Sequence, residues 1–104
     1  MNQSFRLLRQ AERELDLARR WYDDQRFGLG LVFFDAFDAA VERALTFPDA
    51  GIAVLDERLP RPVRRFPVSG FPFYVVTTVL DDGLVVVAVA HAKRKPAYWL
   101  ERIK

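Results

Sequence analysis

The side chains best suited to chemistry lie in one stretch near the end of this 104-residue chain, Ala90-His91-Ala92-Lys93-Arg94-Lys95-Pro96-Ala97-Tyr98-Trp99-Leu100. It holds the only histidine, three consecutive cations, a tyrosine and a tryptophan. Cations and a proton-exchanging imidazole at the rim of a small sheet suit polyanion binding or phosphate chemistry. His91 has two readings. On simple strand alternation it shares a face with Val85, Val87 and Val89, as a histidine packed at the core rim would. As a proton-exchanging group it would be kept neutral and base-competent by Lys93, Arg94 and Lys95, which oppose its protonation. The Lys93-Arg94-Lys95 run is either a solvated surface or a phosphate-contacting patch. Tyr98 and Trp99 are neighbours that would point about 100° apart on a helix. Trp99 is the better core anchor, and Tyr98 the better stacking or proton-donating group.

A second cluster lies upstream. Arg64 shares parity with Phe66 and Val68, so Arg65 faces away from them, and one of the two arginines reaches the surface at the end of the last strand. The alternative is a pair of edge-strand arginines that discourage aggregation. Gly28-Leu29-Gly30 follows no strand and has no Lys-Ser/Thr partner, so it reads as helix punctuation and not as a phosphate loop. Asp81 and Asp82 sit in a turn. With no cysteine and one histidine, disulfides, thiolate metal sites and histidine-rich metal centres are excluded, and no cofactor or metal is expected.

Charge is distributed unevenly. Residues 12–57 carry eleven acids against five arginines, while residues 58–104 carry nine cations against Asp81, Asp82 and Glu101. One acidic and one basic face follow from that division. Thirteen of the sixteen cations are arginine, which suits bidentate phosphate or carboxylate recognition and is equally a product of a GC-rich genome. No apolar run approaches the ~20 residues of a membrane span. The opening residues Met1-Asn2-Gln3-Ser4-Phe5-Arg6 lack signal-peptide features. A cytoplasmic location is the expectation.

Positioning these groups requires a scaffold, and the periodicity supplies one. Phe5 and Leu7 flank Arg6 in a short opening strand. Ala11, Leu15, Ala18 and Tyr22 then mark one face of a helix that ends near residues 24–27, with Leu17 and Trp21 on a second seam. Gly28 and Gly30 break it, and residues 31–46 form a second helix with Phe33, Phe34, Phe37, Ala40, Val41, Ala44 and Leu45 on a wide apolar arc. The short joint predicts an antiparallel helical hairpin. Residues 52–61 read as a charged loop. Strands follow over 63–68, 73–80 and 84–92, the last two joined by a tight Asp81-Asp82-Gly83 hairpin. Both lack clean alternation and should be central strands covered on both faces. Pro96 opens a terminal helix through Arg102. The expectation is an α+β fold of one domain spanning 1–104. Its helical hairpin packs on a small, mostly antiparallel sheet, in the order β-α-α-β-β-β with a short C-terminal helix.

The ordered set Ala11, Leu15, Ala18, Trp21-Tyr22, Gly28-Leu29-Gly30, Phe33, Phe37, Val63-Arg64-Arg65-Phe66, Phe71-Pro72-Phe73, Val87-Ala88-Val89-Ala90-His91 and Arg94-Lys95-Pro96-Ala97-Tyr98-Trp99 resembles the RelE/ParE superfamily of bacterial toxins over nearly the whole chain. The resemblance implies a growth-inhibiting toxin of a type II toxin–antitoxin (plasmid stabilisation) module, encoded beside an antitoxin that wraps around it in a hetero-oligomer. ParE-like members poison DNA gyrase, and RelE-like members cleave mRNA on the ribosome. For RNA cleavage the candidates are His91 or Lys93 as base and Tyr98 or His91 as acid, with Arg65 and Arg94 holding the phosphate. RelE-like nucleases generally carry an arginine in the third strand, where this chain has Tyr74. That departure favours the gyrase-directed reading. The alternatives are the ribosome-dependent endonuclease and a non-toxic member that only binds antitoxin. Target or nucleic-acid contacts are expected from Arg61, Arg64, Arg65, Lys93, Arg94 and Lys95. For an acidic and apolar antitoxin segment, Leu17 and Trp21 would be anchors, with Arg58 and Arg61 steering it. The alternative for Leu17 and Trp21 is packing against the chain's own helices.

Overall fold

Apolar residues at helical spacing decide the first layer. The computed structural model describes residues 5–104; residues 1–4, part of the segment read as lacking a signal peptide, lie outside the described residues. Helix α1 (Arg9–Gln25) turns Ala11, Leu15, Ala18 and Tyr22 inward, and α2 (Leu29–Thr46) buries Phe33, Phe37, Ala40, Val41 and Ala44. The two form the expected hairpin. Gly28 makes the joint with φ of 87°, a conformation that costs glycine little. Gly30 is not a breaker, because it lies within α2. A Cβ there would stand 2.4 Å from the Arg19 carbonyl oxygen, and the Gly30 N–H donates to Asp23 Oδ1 at 2.8 Å. Its missing side chain lets the helices close on each other.

The second layer is a five-stranded sheet in the order β1-β5-β4-β3-β2. Strands β3 (Val63–Pro67), β4 (Phe73–Leu80) and β5 (Gly83–His91) pair antiparallel, while β1 (Phe5–Leu7) lies parallel to β5. The segment expected to be loop contributes a two-residue strand, β2 (Ile52–Ala53), paired with Arg64 and Arg65. Interior β4 and β5 are covered on both faces, which explains their unbroken apolar runs. The helices cover one face, where Phe66, Val75, Val86 and Val89 meet Phe33 and Phe37. Trp99, Leu59, Val54 and Ile103 cover the other, against Val63, Val76, Val85 and Val87.

Three local features differ from the sequence-based expectation. In the β4–β5 hairpin the positive φ values fall on Asp81 (52°) and Asp82 (64°), while Gly83 pairs with Leu80 inside the ladder. Aspartate tolerates this region better than most side chains. Second, Val76 pairs with Ala88 and Thr77 with Val86, so Val87 is an extra residue, a β-bulge. The bulge resets the alternation: Val85, Val87, Ala88 and Ala90 all belong to the second face, and Val86 and Val89 to the helical face. His91 therefore shares parity with Val89 and Val86, and not with Val85 and Val87. Third, no α-helix starts at Pro96. Ala97 is left-handed (φ 57°) and only a 3-10 turn, Leu100–Ile103, follows. The reversal at Ala97 carries Trp99 onto the sheet, where it is 4% exposed. Burying that indole outweighs continuing a helix.

Candidate target-binding cleft

The segment that arches from His91 to Trp99 encloses a cleft of about 290 Å³ against the second face of the sheet. Val76 and Ala90 lie at its base, Arg65 and Tyr74 on the strand side, and Arg94, Lys95 and Tyr98 on the arching segment. No acid lines it. Strand parity sends Arg65 here, with its guanidinium 4.5 Å from the centre of the Tyr74 ring. Opposite, the Arg94 guanidinium lies 3.8 Å from the centre of the Tyr98 ring. A guanidinium held over a ring face by its charge still has N–H donors to offer an anion.

The other expected cations are dispersed. Arg64 lies on the opposite face and donates to the Gly51 carbonyl at 3.0 Å. Arg58 is tied to Asp56 at 2.6 Å, and its hydrogen bonds hold the Asp56 carboxyl down at about 2. Arg61 is half-buried and Lys93 exposed; neither lines the cleft. Of the six residues expected at a target surface, the structure brings together Arg65, Arg94 and Lys95.

His91 stands between two surfaces. It borders the cleft and also a largely apolar cavity of about 480 Å³ shared with Trp21, Tyr22 and Phe73. Its ring meets Phe73 edge-on at 5.0 Å, and its Nδ1 accepts the Lys93 backbone N–H at 3.0 Å. That hydrogen bond fits the tautomer with the proton on Nε2. The contact with Phe73 matches the core-rim reading, while the opposite side of the ring borders the cleft.

Tyr98 is not free to donate into the cleft. Its hydroxyl donates to Glu14 Oε2 at 2.7 Å. Burial, that hydrogen bond and the Glu14 charge all push the Tyr98 phenol up from its ordinary value. Glu14 also accepts the Val89 N–H (3.0 Å) and both terminal nitrogens of Arg102 (3.0 and 2.8 Å). Burial would raise the Glu14 carboxyl, but the hydrogen bonds from Arg102, Tyr98 and Val89, with the Arg102 charge, outweigh it and hold the group below its usual value. Arg102 also donates to the Val87 carbonyl at 3.0 Å, so the bulged residue is held by a side chain. Among the described residues, no strand pairs with the outer edge of β5 past Val86, and this network occupies that edge. Sequence reasoning missed Glu14 and Arg102 as site residues. Their separation of 88 positions leaves no local signal, and only a buried-strand edge in need of polar partners could have pointed to them.

On α1, Leu17 and Trp21 are 60% and 57% exposed, Leu17 beside Glu14 and Arg102 and Trp21 beside the His91 cavity, so the domain's own core leaves both partly uncovered. Arg9, Arg13, Leu17 and Trp21 recur every four residues along one stripe. Among the described residues, no helix is long and apolar enough to cross a membrane.

A helical hairpin on a small sheet, with a basic cleft beneath the C-terminal segment, is the build of a small bacterial toxin of the RelE/ParE kind. The profile of the family described as "ParE toxin of type II toxin-antitoxin system, parDE" matches residues 5–96, and the chain belongs to that family. A similar fold is found in a solved structure described as "Chromosomal ParDE TA system from P. aeruginosa", with a TM-score of 0.72 and 17% identity over 88% of this chain and 97% of that one. No curated protein sequence matches the chain. Membership of a toxin–antitoxin family implies a cognate antitoxin as partner.

Proposed function

We propose that this chain arrests growth in the cytoplasm by binding DNA gyrase through the basic cleft, and not by cutting RNA. The observation that carries this reading is the Tyr98 hydroxyl, engaged as a donor to Glu14 at 2.7 Å. Cleavage through a 2′-hydroxyl needs an acid within hydrogen-bond reach of the leaving oxygen. Tyr98 has its proton directed away from the cleft and its ring covered by Arg94. Tyr74, at the position of the expected nuclease arginine, is covered by Arg65. What remains is His91 at the rim, with its Nδ1 taken by the Lys93 N–H and its ring edge-on to Phe73, and a set of cations lining the cleft, an arrangement that supports binding.

The antitoxin is proposed to lie along α1. Leu17 and Trp21 supply apolar anchors, and Arg9 and Arg13 take over the steering expected of Arg58 and Arg61. Arg58 is occupied by Asp56, whereas Arg9 and Arg13 are exposed beside Leu17 around a cavity of about 390 Å³. A segment with acids at one end and apolar residues at the other matches that stripe.

The test combines two readouts on induced expression without antitoxin, plasmid topology and transcript 5′-end mapping, with a supercoiling assay on purified gyrase. Lost supercoiling with intact transcripts is the expected result. Normal supercoiling together with ribosome-dependent mRNA cuts would replace this reading with the endonuclease, and harmless expression with the antitoxin-binding member.

A further inference from the structure

Arg94 lies three residues beyond the end of β5, is exposed, and has no ion pair among the described residues. An arginine in such a place ordinarily samples many rotamers. Here it is stacked at 3.8 Å on Tyr98, and the Tyr98 ring is fixed through its hydroxyl to Glu14, on the other layer of the molecule. We infer that Glu14 is a positioning residue for the cleft: it fixes Tyr98 as the platform for Arg94 and so sets the direction in which that guanidinium meets a target. This rests on the reading of the cleft as the target-binding surface.

The geometry makes Glu14 a rigid anchor. It accepts from the β5 backbone at Val89, from the Tyr98 hydroxyl and from two nitrogens of Arg102, and Arg102 in turn grips the Val87 carbonyl. Every donor around it is held by the bulged end of β5 or by the C-terminal turn. Only an acceptor with two oxygens serves four donors, because a glutamine would set an NH2 group against Arg102 or Tyr98. The linkage runs from α1, around the outer edge of β5, to the cleft. Arg102 also lies over the Tyr98 ring, 5.2 Å from its centre, and is itself held by Glu14, so both supports of the ring lead back to that carboxylate.

The experiment is a double-mutant cycle on gyrase inhibition, with an independent spectroscopic arm. Tyr98→Phe keeps the ring and leaves Glu14 paired with Arg102, so it breaks only the tether. It should weaken supercoiling inhibition about fivefold, the equivalent of one cation–π contact of about 1 kcal/mol. Glu14→Gln should weaken it at least as much. Combined with Arg94→Ala, Tyr98→Phe should add nothing to the loss that Arg94→Ala causes alone. Additive losses would overturn the inference, since a purely structural tether acts whether or not Arg94 is present. In the second arm, the Arg94 Nε–H resonance of the wild type should show the upfield shift of a group over a ring face and lose it in Tyr98→Phe and Glu14→Gln. An unchanged shift in both variants would also overturn it. If the wild type fails to inhibit gyrase, the proposed target is wrong, and the resonance alone then decides the role of Glu14.

Discussion

Replacing Arg102 by methionine is the sharpest test of the network at the β5 edge. The change keeps most of the apolar stem and removes the charge and both donors. The side chains of Arg102 and Glu14 are only 15% and 16% exposed and border the cavity beside Leu17, so solvent replaces the lost partner only in part. Removing one member of a buried pair typically costs about 3–5 kcal/mol. Glu14 keeps the Val89 N–H and the Tyr98 hydroxyl, which places the expected loss near the lower end, about 3 kcal/mol. With a urea m-value of about 2 kcal/mol/M, the unfolding midpoint should fall by about 1.5 M at pH 7. The pH dependence gives a second check. In the wild type the Glu14 carboxyl is held below its ordinary value, so its stabilisation is complete above the unfolded pKa and is lost as pH falls through the folded one. Without Arg102, burial, which raises this carboxyl, loses its main opponent. The variant's Glu14 then protonates in mild acid and sheds its poorly paired charge, so the difference between the two proteins should narrow at pH 3.5. Urea titrations followed by far-UV circular dichroism at both pH values measure this. A midpoint shift below 0.5 M at pH 7 (about 1 kcal/mol), or an equal shift at both, would refute the reasoning.

Gly30→Ala should destabilise by about 1–3 kcal/mol, because the added methyl collides with the Arg19 carbonyl; alanine's higher helix propensity recovers only about 1 kcal/mol. A thermal melt that rises instead would show that the helices can separate freely. Ala97→Gly should be neutral to stabilising by up to about 1 kcal/mol, since relief of the left-handed backbone is partly offset by glycine's freedom in the unfolded chain. A marked loss in chemical denaturation would contradict that. Trp21→Ala should cost about 1 kcal/mol, or about 5 °C in melting temperature, since the ring is partly covered and meets Tyr22 edge-on, and should weaken antitoxin binding by about tenfold or more, as expected of an aromatic anchor. Calorimetry with purified antitoxin would detect an unchanged affinity and so exclude the α1 stripe.

The elements most legible in the sequence were those governed by periodicity. Ala11, Leu15, Ala18 and Tyr22 announced α1, and the mixed runs at 73–80 and 84–92 announced strands covered on both faces. Parity with Phe66 set Arg64 and Arg65 on opposite faces, as found, because β3 pairs in regular register with β4 over its length, but it left open which of the two reaches the cleft. Parity failed in β5, where one extra residue at Val87 is invisible in a row of valines. Pro96 looked like a helix start because proline suits a first turn, yet the need of the second sheet face for Trp99 imposed a reversal at Ala97. The cation patch was half legible. Arg94 and Lys95 adjoin Tyr98 in the chain, whereas Arg64 and Arg58 found local partners, Gly51 and Asp56, that charge counting does not register. Glu14 illustrates the general obstacle: its partners are a backbone amide, a phenol and a guanidinium all more than seventy positions away.

The additional residue in β5 works as a half-step of phase. With Val87 deleted, the alternation would run unbroken from Leu84 to His91, and each residue beyond it would keep its β4 partner and its face. Counting parity forward from the first valines of a relative's last strand therefore says nothing about which face its histidine takes until the presence of the bulge is known. Two chains of this build with the same tail motif and valine runs one residue apart in length can thus present the same side of that tail to their targets, the extra residue being absorbed in the bulge.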